Sequence, residues 1–389
     1  MTSRVYLDWN ATTPPHAEVI AAMLAVLESA WANPSSVHAE GRGARSHVEN
    51  ARAAVAELAG VDPRDIVLTS GGTEANNLAL RSAFARTKSA ASDPAPGTLL
   101  TSRIEHPSIT RVAEALEGEG KARVRWLHVQ PSGQIDLEDL EHALATEPNV
   151  RLLALQAVNH ETGVIQPTAE AIALASARGV WVHVDAVQAF GRIDVAGINP
   201  ACGDGLRVTR SLAAHKIRGP KGIGALVTRA DIVLEPVLRG GAQERGIRPG
   251  TLDPVAAAGF AVAARHARSG QERYERVAKQ RDRLEAGLLR IDPRLAINGS
   301  VALRAPHVSN VAFSSWNGPE LVAALDLEGV SISSGSACSA GTIEPSPVVT
   351  AMHDEARARR SVRFSLGDAT SPESIDVALA AIARVFARS

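Results

Sequence analysis

The segment Ser211–Val227, SLAAHKIRGPKGIGALV, places Lys216 beside His215 and just before a Gly-Pro turn. A lysine whose orientation is fixed by a rigid turn can form a Schiff base with a carbonyl compound. The alternative is an ordinary loop before a strand, with Lys216 and Lys221 both solvated. The spacing of a Walker loop is absent, so the segment does not predict nucleotide binding.

A second candidate group is Asp185, in the segment HVDAVQAFG, which follows an apolar run typical of a parallel strand. A carboxylate at the carboxyl end of such a strand faces the crevice in which α/β sheets bind ligands. There it can pair with a protonated pyridine nitrogen and hold the ring as an electron sink. The alternative role for Asp185 is the N-cap of the next helix. Gln188 would then lie one helical turn further on, on the same side.

Two further segments follow predicted strands. In TSGGTEANN, two glycines precede a helix that begins at Thr73, and free backbone N–H groups there can bind a phosphate; the alternative is a plain turn capped by Thr73. In EHPS, His106 is either structural or an acid–base or ring-stacking group. Asn159, His160 and Glu161 follow another strand. Several strands that end in polar residues indicate a shared crevice.

Alternating strand and helix patterns predict the elements that position these groups, namely a mostly parallel sheet covered by helices in an α/β fold. After about Pro254 the pattern changes to a long helical stretch, from Asp253 to about Leu289, followed by shorter strands and helices. We therefore predict a large domain at 15–258. A smaller α+β domain is predicted to comprise residues 1–14 and 259–389.

The composition excludes several classes of protein. The chain has 389 residues, 45% hydrophobic and 21% charged, and a formal net charge of −1. We therefore expect neither a nucleic-acid surface nor a membrane patch. Only two cysteines favour a reducing compartment over a disulfide framework, and the N-terminus has no signal-peptide pattern, so we expect a cytoplasmic protein.

The order of these segments resembles that of the NifS/IscS-type cysteine desulfurases, which are class V, fold-type I enzymes that use pyridoxal phosphate. The resemblance extends from Val5 to about Ser389. It rests on YLDWNATTP, NPSSVHAEGR, TSGGTEANN, EHPS, NHETG, HVDAVQAFG, AAHKIRGPKGIG, GGAQERGIRPGT, SSGSACSAG and SVRFSLG. It implies a homodimer in which each large domain has a mostly parallel seven-stranded sheet between helices.

The resemblance also implies a role for each matched residue. Pyridoxal phosphate would form a Schiff base with Lys216, His106 would stack on its ring and transfer protons, and Asp185 would bind the ring nitrogen. The other implied contacts are Gly72, Thr73, His215 and the partner subunit's Thr251 with the phosphate, Asn159 and Gln188 near the phenolic oxygen, and Asn159 and Arg363 with the substrate. A planar bidentate donor such as Arg363 suits a carboxylate.

Cys338 lies in SISSGSACSAG, a small-residue segment that is a poor place for a buried structural cysteine. The resemblance implies that Cys338 is the nucleophile, which takes sulfur from L-cysteine as a persulfide, leaves L-alanine and passes the sulfur to an acceptor. A thiol with an ordinary pKa is only a few per cent ionised at neutral pH, so a nearby base or cation must stabilise the thiolate. Cys202 matches none of the segments and is expected to be an ordinary small residue.

The sequence departs from the family pattern at several positions. Trp9 stands where the first motif often has Asn or Tyr, and His160 replaces the commoner second Asn of NNETG. Ala213 replaces a serine that bonds the phosphate, a loss of about 1 kcal/mol of cofactor affinity. Asp368 begins a DAT segment where Arg-Phe-Thr is frequent. The short segment up to Ser389 weakens the expectation of an iron–sulfur scaffold as the acceptor; a thiolation carrier is the other candidate.

Two alternative functions stay open at this point. The first is another activity on the same fold, such as a selenocysteine lyase or an aminotransferase. Neither generally needs a nucleophilic cysteine in a long Ser/Gly segment. The second is a non-enzymatic sulfur or metal carrier, which would not need Lys216, Asp185 and a phosphate turn together. We expect no bound metal.

Overall fold

The computed structural model describes residues 4–85, 96–198, 206–229, 232–335 and 344–388. Both cysteines, Cys202 and Cys338, lie outside these ranges. The strands are β1 Val5–Tyr6, β2 Ile66–Thr69, β3 Gly97–Ser102, β4 Ala122–Leu127, β5 Val150–Gln156, β6 Trp181–Asp185, β7 Val208–Ala213, β8 Gly224–Val227, β9 Ala296–Ile297, β10 Val308–Ala312, β11 Val330–Ser331 and β12 Ser361–Ser365. The helices are α1 Ala17–Ser29, α2 Ala39–Ala59, α3 Gly72–Ala83, α4 Pro107–Gly118, α5 Leu137–Thr146, α6 Thr168–Ser176, α7 Pro254–Ala267, α8 Gly270–Ile291, α9 Gly318–Leu327, α10 Pro347–Met352, α11 Glu355–Arg359 and α12 Pro372–Phe386.

A seven-stranded sheet in the order β2-β8-β7-β6-β5-β3-β4 forms the centre of the larger part. β8 runs antiparallel to both of its neighbours, and all other pairs are parallel. Successive residues of β5 alternate between two apolar cores, because side chains of a strand point to opposite faces. Leu152 lies in the core on one face, while Leu153 and Leu155 lie in the core on the other. This confirms the expected mostly parallel sheet between helices.

The smaller part has its own apolar core. An antiparallel sheet in the order β12-β10-β9 and a parallel pair, β1 with β11, pack there with α8, α9 and α12. Leu7 from the start of the chain joins Leu284, Phe313 and Phe364 in this core. The predicted limits of the two domains stay a prediction, and the boundary at 258/259 falls inside α7, which packs in the core of the large sheet as far as Ala267.

The long helical stretch expected from Asp253 to about Leu289 is two helices, α7 and α8, with a break at residues 268–269. Gly270 begins α8 against the backbone of Gly191, and a Cβ at Gly270 would collide with the Gly191 carbonyl oxygen. The close approach of two backbones therefore accompanies the break, which helical periodicity alone does not show. Within the described ranges, no helix is both long and apolar enough to cross a membrane.

Candidate active site

The carboxyl ends of the central strands of the large sheet open onto one cavity of about 400 Å³. Parallel strands present these ends at the same edge of a sheet, so the residues that follow them are brought together. The predicted site residues that line the cavity are Gly72, Thr73, His106, Asp185, Gln188, His215, Lys216 and Arg363. Ala213 and His160, two of the departures from the family pattern, line it as well.

Lys216 lies on a single 3₁₀ turn, Ala214–Lys216, directly after β7. Its Nζ donates to the carbonyl oxygens of Asn10 and Ala11, at 2.5 and 2.9 Å. The backbone carbonyl of Lys216 accepts a hydrogen bond of 2.7 Å from Arg192. The residue is thus held from both ends, and the alternative of a solvated lysine does not apply to it.

Asp185 ends β6 and is buried, with donors arranged around its carboxylate. Asn76 Nδ2 donates to Oδ2 at 2.8 Å, while the Val187 N–H and the Ser211 hydroxyl donate to Oδ1 at 3.1 and 3.3 Å. Donors of this kind stabilise the ionised form of a carboxylate. The arrangement suits a group that must stay negative beside a cationic ring nitrogen.

His106 is the N-cap of α4, and its Nδ1 accepts from the backbone N–H of Ser108 at 3.1 Å. Its ring meets the His160 ring edge to face, with centroids 5.3 Å apart. Burial lowers the pKa of His106; Asp185 partly opposes this effect and Lys216 adds to it. Burial also lowers the pKa of His160 well below its ordinary value. Both imidazoles are therefore neutral at pH 7.

The N-terminus of α3 also lines the cavity, with Gly72 buried and Thr73 exposed. Gly72 is the first residue of a helix and offers a free backbone N–H to an anion. His215 also lines the cavity, with its Nδ1 3.1 Å from Thr12 Oγ1. Burial, helped by the charges of Lys216 and Lys221, lowers the pKa of His215 to about 4, so the imidazole is neutral at pH 7.

Gly72→Ala should weaken cofactor binding. A Cβ at Gly72 would lie 2.5 Å from Val187 Cγ2, so Val187 or the start of α3 must shift at the cavity wall. Overpacking of this kind costs on the order of 1–3 kcal/mol, and we expect about tenfold or greater loss of affinity in an absorbance titration of stripped protein with pyridoxal phosphate.

The matched control is Gly43→Ala on the exposed face of α2, where a Cβ would meet nothing within 4 Å. It should leave the affinity unchanged and add up to about 1 kcal/mol of helix propensity. Equal affinities of the two variants would contradict the assignment of Gly72 to the cofactor cradle.

Arg363 occupies the middle of β12 and is buried at the cavity wall. One terminal nitrogen lies 2.6 Å from Asp8 Oδ1 and the other donates to the His160 carbonyl at 2.9 Å. Its Nε is buried and has no hydrogen-bond partner among the described residues. A buried donor without a partner costs free energy unless a ligand satisfies it. This group therefore suits an anionic ligand.

Asn159, Gln188 and Thr251 differ in how they meet the cavity. The Asn159 side chain organises the turn after β5, accepting from the Glu161 and Thr162 N–H groups at 2.9 and 2.8 Å. Asn159 is fully buried and is not among the described residues that line the cavity. Gln188 lines it and donates to the Asn10 carbonyl at 3.1 Å. Thr251 is exposed and lies apart from the lining of its own chain's cavity.

Cys338 lies outside the described residues, but the residues that flank its segment are described. Ser346 donates to the buried Glu161 carboxylate at 2.5 Å. Gly335, at the other flank, packs so closely against the same carboxylate that a side chain at 335 would collide with it. Burial raises the pKa of Glu161, against the effect of the Ser346 bond. Glu161 therefore contacts both flanks of segment 336–343.

Sequence reasoning gave no role to several residues that organise this site. The Asn10 side chain accepts from Arg192 at 3.1 Å, in addition to the contacts of its carbonyl. Asn10 and Glu161 lie inside the segments YLDWNATTP and NHETG, and Glu161 also follows a predicted strand; these were the available signals. Arg192 is a buried cation that bonds the nearby Gln188 and also Asn10 and the Lys216 carbonyl, which are distant in the sequence, and nothing in its sequence neighbourhood indicates these two distant partners.

Comparisons with known proteins agree with this geometry. Residues 5–377 match the family model described as Aminotransferase class-V. A cysteine desulfurase of Cereibacter sphaeroides is 39% identical over 379 residues, which cover 96% of this chain and 93% of the relative.

Solved structures show the same similarity. A NifS-like protein superposes with a TM-score of 0.88 at 29% identity, covering 99% of this chain and 100% of the other. A protein named SspA, solved in complex with cysteine, superposes with a TM-score of 0.78 at 32% identity, covering 94% of this chain and all of the other. The chain therefore belongs to the pyridoxal-phosphate-dependent cysteine desulfurases of the class-V aminotransferase family.

Proposed function

We propose that the cavity is the cofactor and substrate site of this desulfurase, with Lys216 as the residue that binds the cofactor covalently. The observation that carries the proposal is the meeting of the Lys216 amine, the Asp185 carboxylate and the neutral His106 imidazole on one cavity. A volume of about 400 Å³ is in the usual range for small-molecule sites. Pyridoxal phosphate, when bound, supplies an electron sink for the bonds at the substrate α-carbon.

Each of the chain's own groups has a defined task in this proposal. Asp185 stabilises the protonated ring nitrogen, and His106 covers the ring and moves protons as a neutral imidazole. The phosphate is bound by the start of α3, at Gly72 and Thr73, together with His215 and the partner subunit's Thr251. Asn159 and Gln188 bind near the phenolic oxygen, and Asn159 also contacts the substrate.

Arg363 is proposed to bind the carboxylate of L-cysteine. The unpartnered Nε supports this role, because a carboxylate can accept from Nε and a terminal nitrogen together. Asp8 holds the guanidinium from the side at 2.6 Å, so its orientation does not depend on the substrate. A guanidinium group that is already held in place loses little conformational freedom when the substrate binds.

Arg363→Lys should raise KM for L-cysteine by about 10–100-fold with a smaller change in kcat, because lysine lacks the planar fork. Steady-state alanine release at a series of cysteine concentrations measures both constants. Arg360→Lys is the matched control, since Arg360 is exposed three residues earlier and should behave as wild type. A KM for Arg363→Lys within twofold of wild type would exclude this carboxylate contact.

Cys338 is proposed as the acceptor of the sulfur atom within the enzyme. Its thiolate attacks the sulfur of L-cysteine, so that an S–S bond forms and the Cβ–S bond breaks. The electron pair of the broken bond stays on the carbon, which takes a proton and becomes the methyl group of L-alanine. The contact of Glu161 with both flanks of segment 336–343 supports this role, since it ties the segment to the turn that carries His160.

We also propose that the enzyme is a cytoplasmic homodimer that passes its sulfur to an acceptor protein. Exposed apolar side chains on and after α1 support the dimer, because contiguous apolar surface is rare on monomers. They are Ile20, Leu24, Leu27, Trp31 and Val37. The acceptor is proposed to be an iron–sulfur scaffold or a thiolation carrier, and the low cysteine content supports a reducing compartment.

The test of the function is direct. Purified protein loaded with pyridoxal phosphate should be yellow and, with a thiol reductant, should release L-alanine and sulfide from L-cysteine in equal amounts. Amino-acid analysis and a sulfide assay on the same sample measure the two products. A loaded protein that consumes L-cysteine with transamination products instead of alanine would favour the aminotransferase alternative.

A further inference from the structure

A chain of hydrogen bonds connects His106 and Asp185, through Asn76 and Ser108 in the cavity lining, to the side chains of His183, Thr209 and Trp181. One arm runs from Asp185 Oδ2 to Asn76 Nδ2 (2.8 Å), from Asn76 Oδ1 to His183 Nε2 (2.9 Å), and from His183 Nδ1 to Thr209 Oγ1 (3.0 Å), which also meets Trp181 Nε1 (3.1 Å). The other arm runs from Asn76 Nδ2 to Ser108 Oγ (2.7 Å) and from there to His106 Nδ1 (2.8 Å). Asn76 is the branch point, because its amide bonds both Asp185 and Ser108 with Nδ2 and His183 with Oδ1.

The direction of one arm follows from the chemistry of its ends. The ionised Asp185 carboxylate only accepts, so Asn76 must turn its NH₂ group toward it and its oxygen toward His183. His183 therefore carries its proton on Nε2. Burial lowers the pKa of His183 to about 4, so the ring is neutral and its Nδ1 accepts from the Thr209 hydroxyl. The Trp181 Nε1–H, which can only donate, then donates to Thr209 Oγ1.

The other arm sets the tautomer of His106. The second N–H of Asn76 Nδ2 is directed to Ser108 Oγ, so the Ser108 hydroxyl donates its proton onward to His106 Nδ1. The same Nδ1 accepts from the Ser108 backbone N–H at 3.1 Å. An Nδ1 that accepts carries no proton. The proton of the neutral His106 ring is thus on Nε2.

We propose that Asn76 is a positioning residue for the desulfurase reaction, which holds the Asp185 carboxylate through a donated hydrogen bond and keeps the proton of His106 on Nε2. The inference rests on the roles proposed above for His106 and Asp185. His183 and Thr209 act one step further away, by fixing the orientation of the Asn76 amide. Asn76 thereby links Asp185, the proposed partner of the ring nitrogen, to His106, the proposed proton-transfer group.

Other titratable groups lie near His106 and Asp185 and influence the charge of both. His160 and Lys216 face His106, on the turn after β5 and the turn after β7. Glu105 and His183 face Asp185, and burial raises the pKa of Glu105 to about 8. Glu105 is therefore largely neutral at pH 7 and adds little repulsion to the Asp185 carboxylate.

Asn76→Leu in the full-length enzyme loaded with pyridoxal phosphate tests the proposal. Removal of a charge-assisted bond to Asp185 should shift the pH titration of the visible cofactor absorbance by about 1–2 pH units. ¹⁵N NMR of the histidine-labelled protein, with His106 assigned by a His106→Gln spectrum, should show loss of the single Nε2–H tautomer. An unchanged titration together with an unchanged tautomer would overturn the proposal.

Thr209→Val and Thr209→Ser form a second, matched pair that does not depend on the folding of Asn76→Leu. Valine keeps the shape and removes the hydroxyl, so it should shift the titration in the same direction by a smaller amount, while serine should restore the wild-type curve. Equal titration curves for Thr209→Val and Thr209→Ser would contradict the role of the hydrogen-bond chain. If wild type binds the cofactor and releases alanine while these variants titrate as wild type, only the role of Asn76 fails. A wild type that binds no cofactor overturns the proposed function instead.

Discussion

Cys338→Ala should abolish sulfide release while the protein stays yellow. Removal of a nucleophile that no other group replaces lowers turnover by at least about 1,000-fold, because the sulfur atom then has no acceptor in the enzyme. The cofactor contacts proposed here involve Lys216, Asp185 and His106, so the visible spectrum and its change on addition of L-cysteine should be retained. Sulfide release and the spectrum, measured on the same sample, separate the two effects.

Cys202→Ala is the matched control for this experiment, because it removes the other thiol of the chain and matches no family segment. It should release sulfide at the wild-type rate. Mass spectrometry of wild type mixed with L-cysteine should show one added sulfur atom, retained in Cys202→Ala and lost in Cys338→Ala. Sulfide release by Cys338→Ala within tenfold of wild type would mean that Cys338 is not the nucleophile.

Lys216→Ala should reduce activity at least as much as Cys338→Ala does. Without the amine the cofactor cannot be attached to the chain, and kcat/KM for L-cysteine should fall by about 10,000-fold or more. Borohydride treatment should fix the cofactor to wild type and not to the variant, as judged by the mass of the denatured protein.

Lys221→Ala supplies the control, since Lys221 lies on the same glycine-rich turn and is exposed. It should retain borohydride fixation and activity within about twofold of wild type, as expected for an exposed lysine. Fixation of the cofactor in Lys216→Ala and not in Lys221→Ala would transfer the role to the second lysine.

The sequence predicts well those features that depend on local patterns. Asp185 and Lys216 follow buried strands, and parallel strands bring such residues to one edge of a sheet. The mostly parallel sheet and its covering helices follow from the alternation of strand and helix patterns along the chain, while the number of seven strands was implied by the family resemblance. The positions of His106, Gly72 and His215 at the cavity are consequences of the same rule.

Other features depend on contacts between distant segments and have no local pattern. Arg192 bonds Asn10 and the carbonyl of Lys216, and no periodicity predicts such partners. The break between α7 and α8 accompanies the approach of Gly270 to Gly191, far away in sequence. The bonds that Asn159 Oδ1 accepts within its own turn are likewise not predictable, because a polar residue after a strand can serve the turn, a ligand or both.

The place of Gly335 has a consequence for how sulfur leaves the enzyme. Gly335 lines the cavity and packs on Glu161, and Cys338 is the third residue after it. Each residue of an extended chain spans at most about 3.6 Å, so the Cα of Cys338 stays within about 11 Å of Gly335 in any conformation. This distance limits how far from Gly335 the Cys338 backbone can carry a sulfur atom. An acceptor that takes sulfur from the proposed Cys338 persulfide would have to bring its receiving atom close to the part of the cavity lined by Gly335.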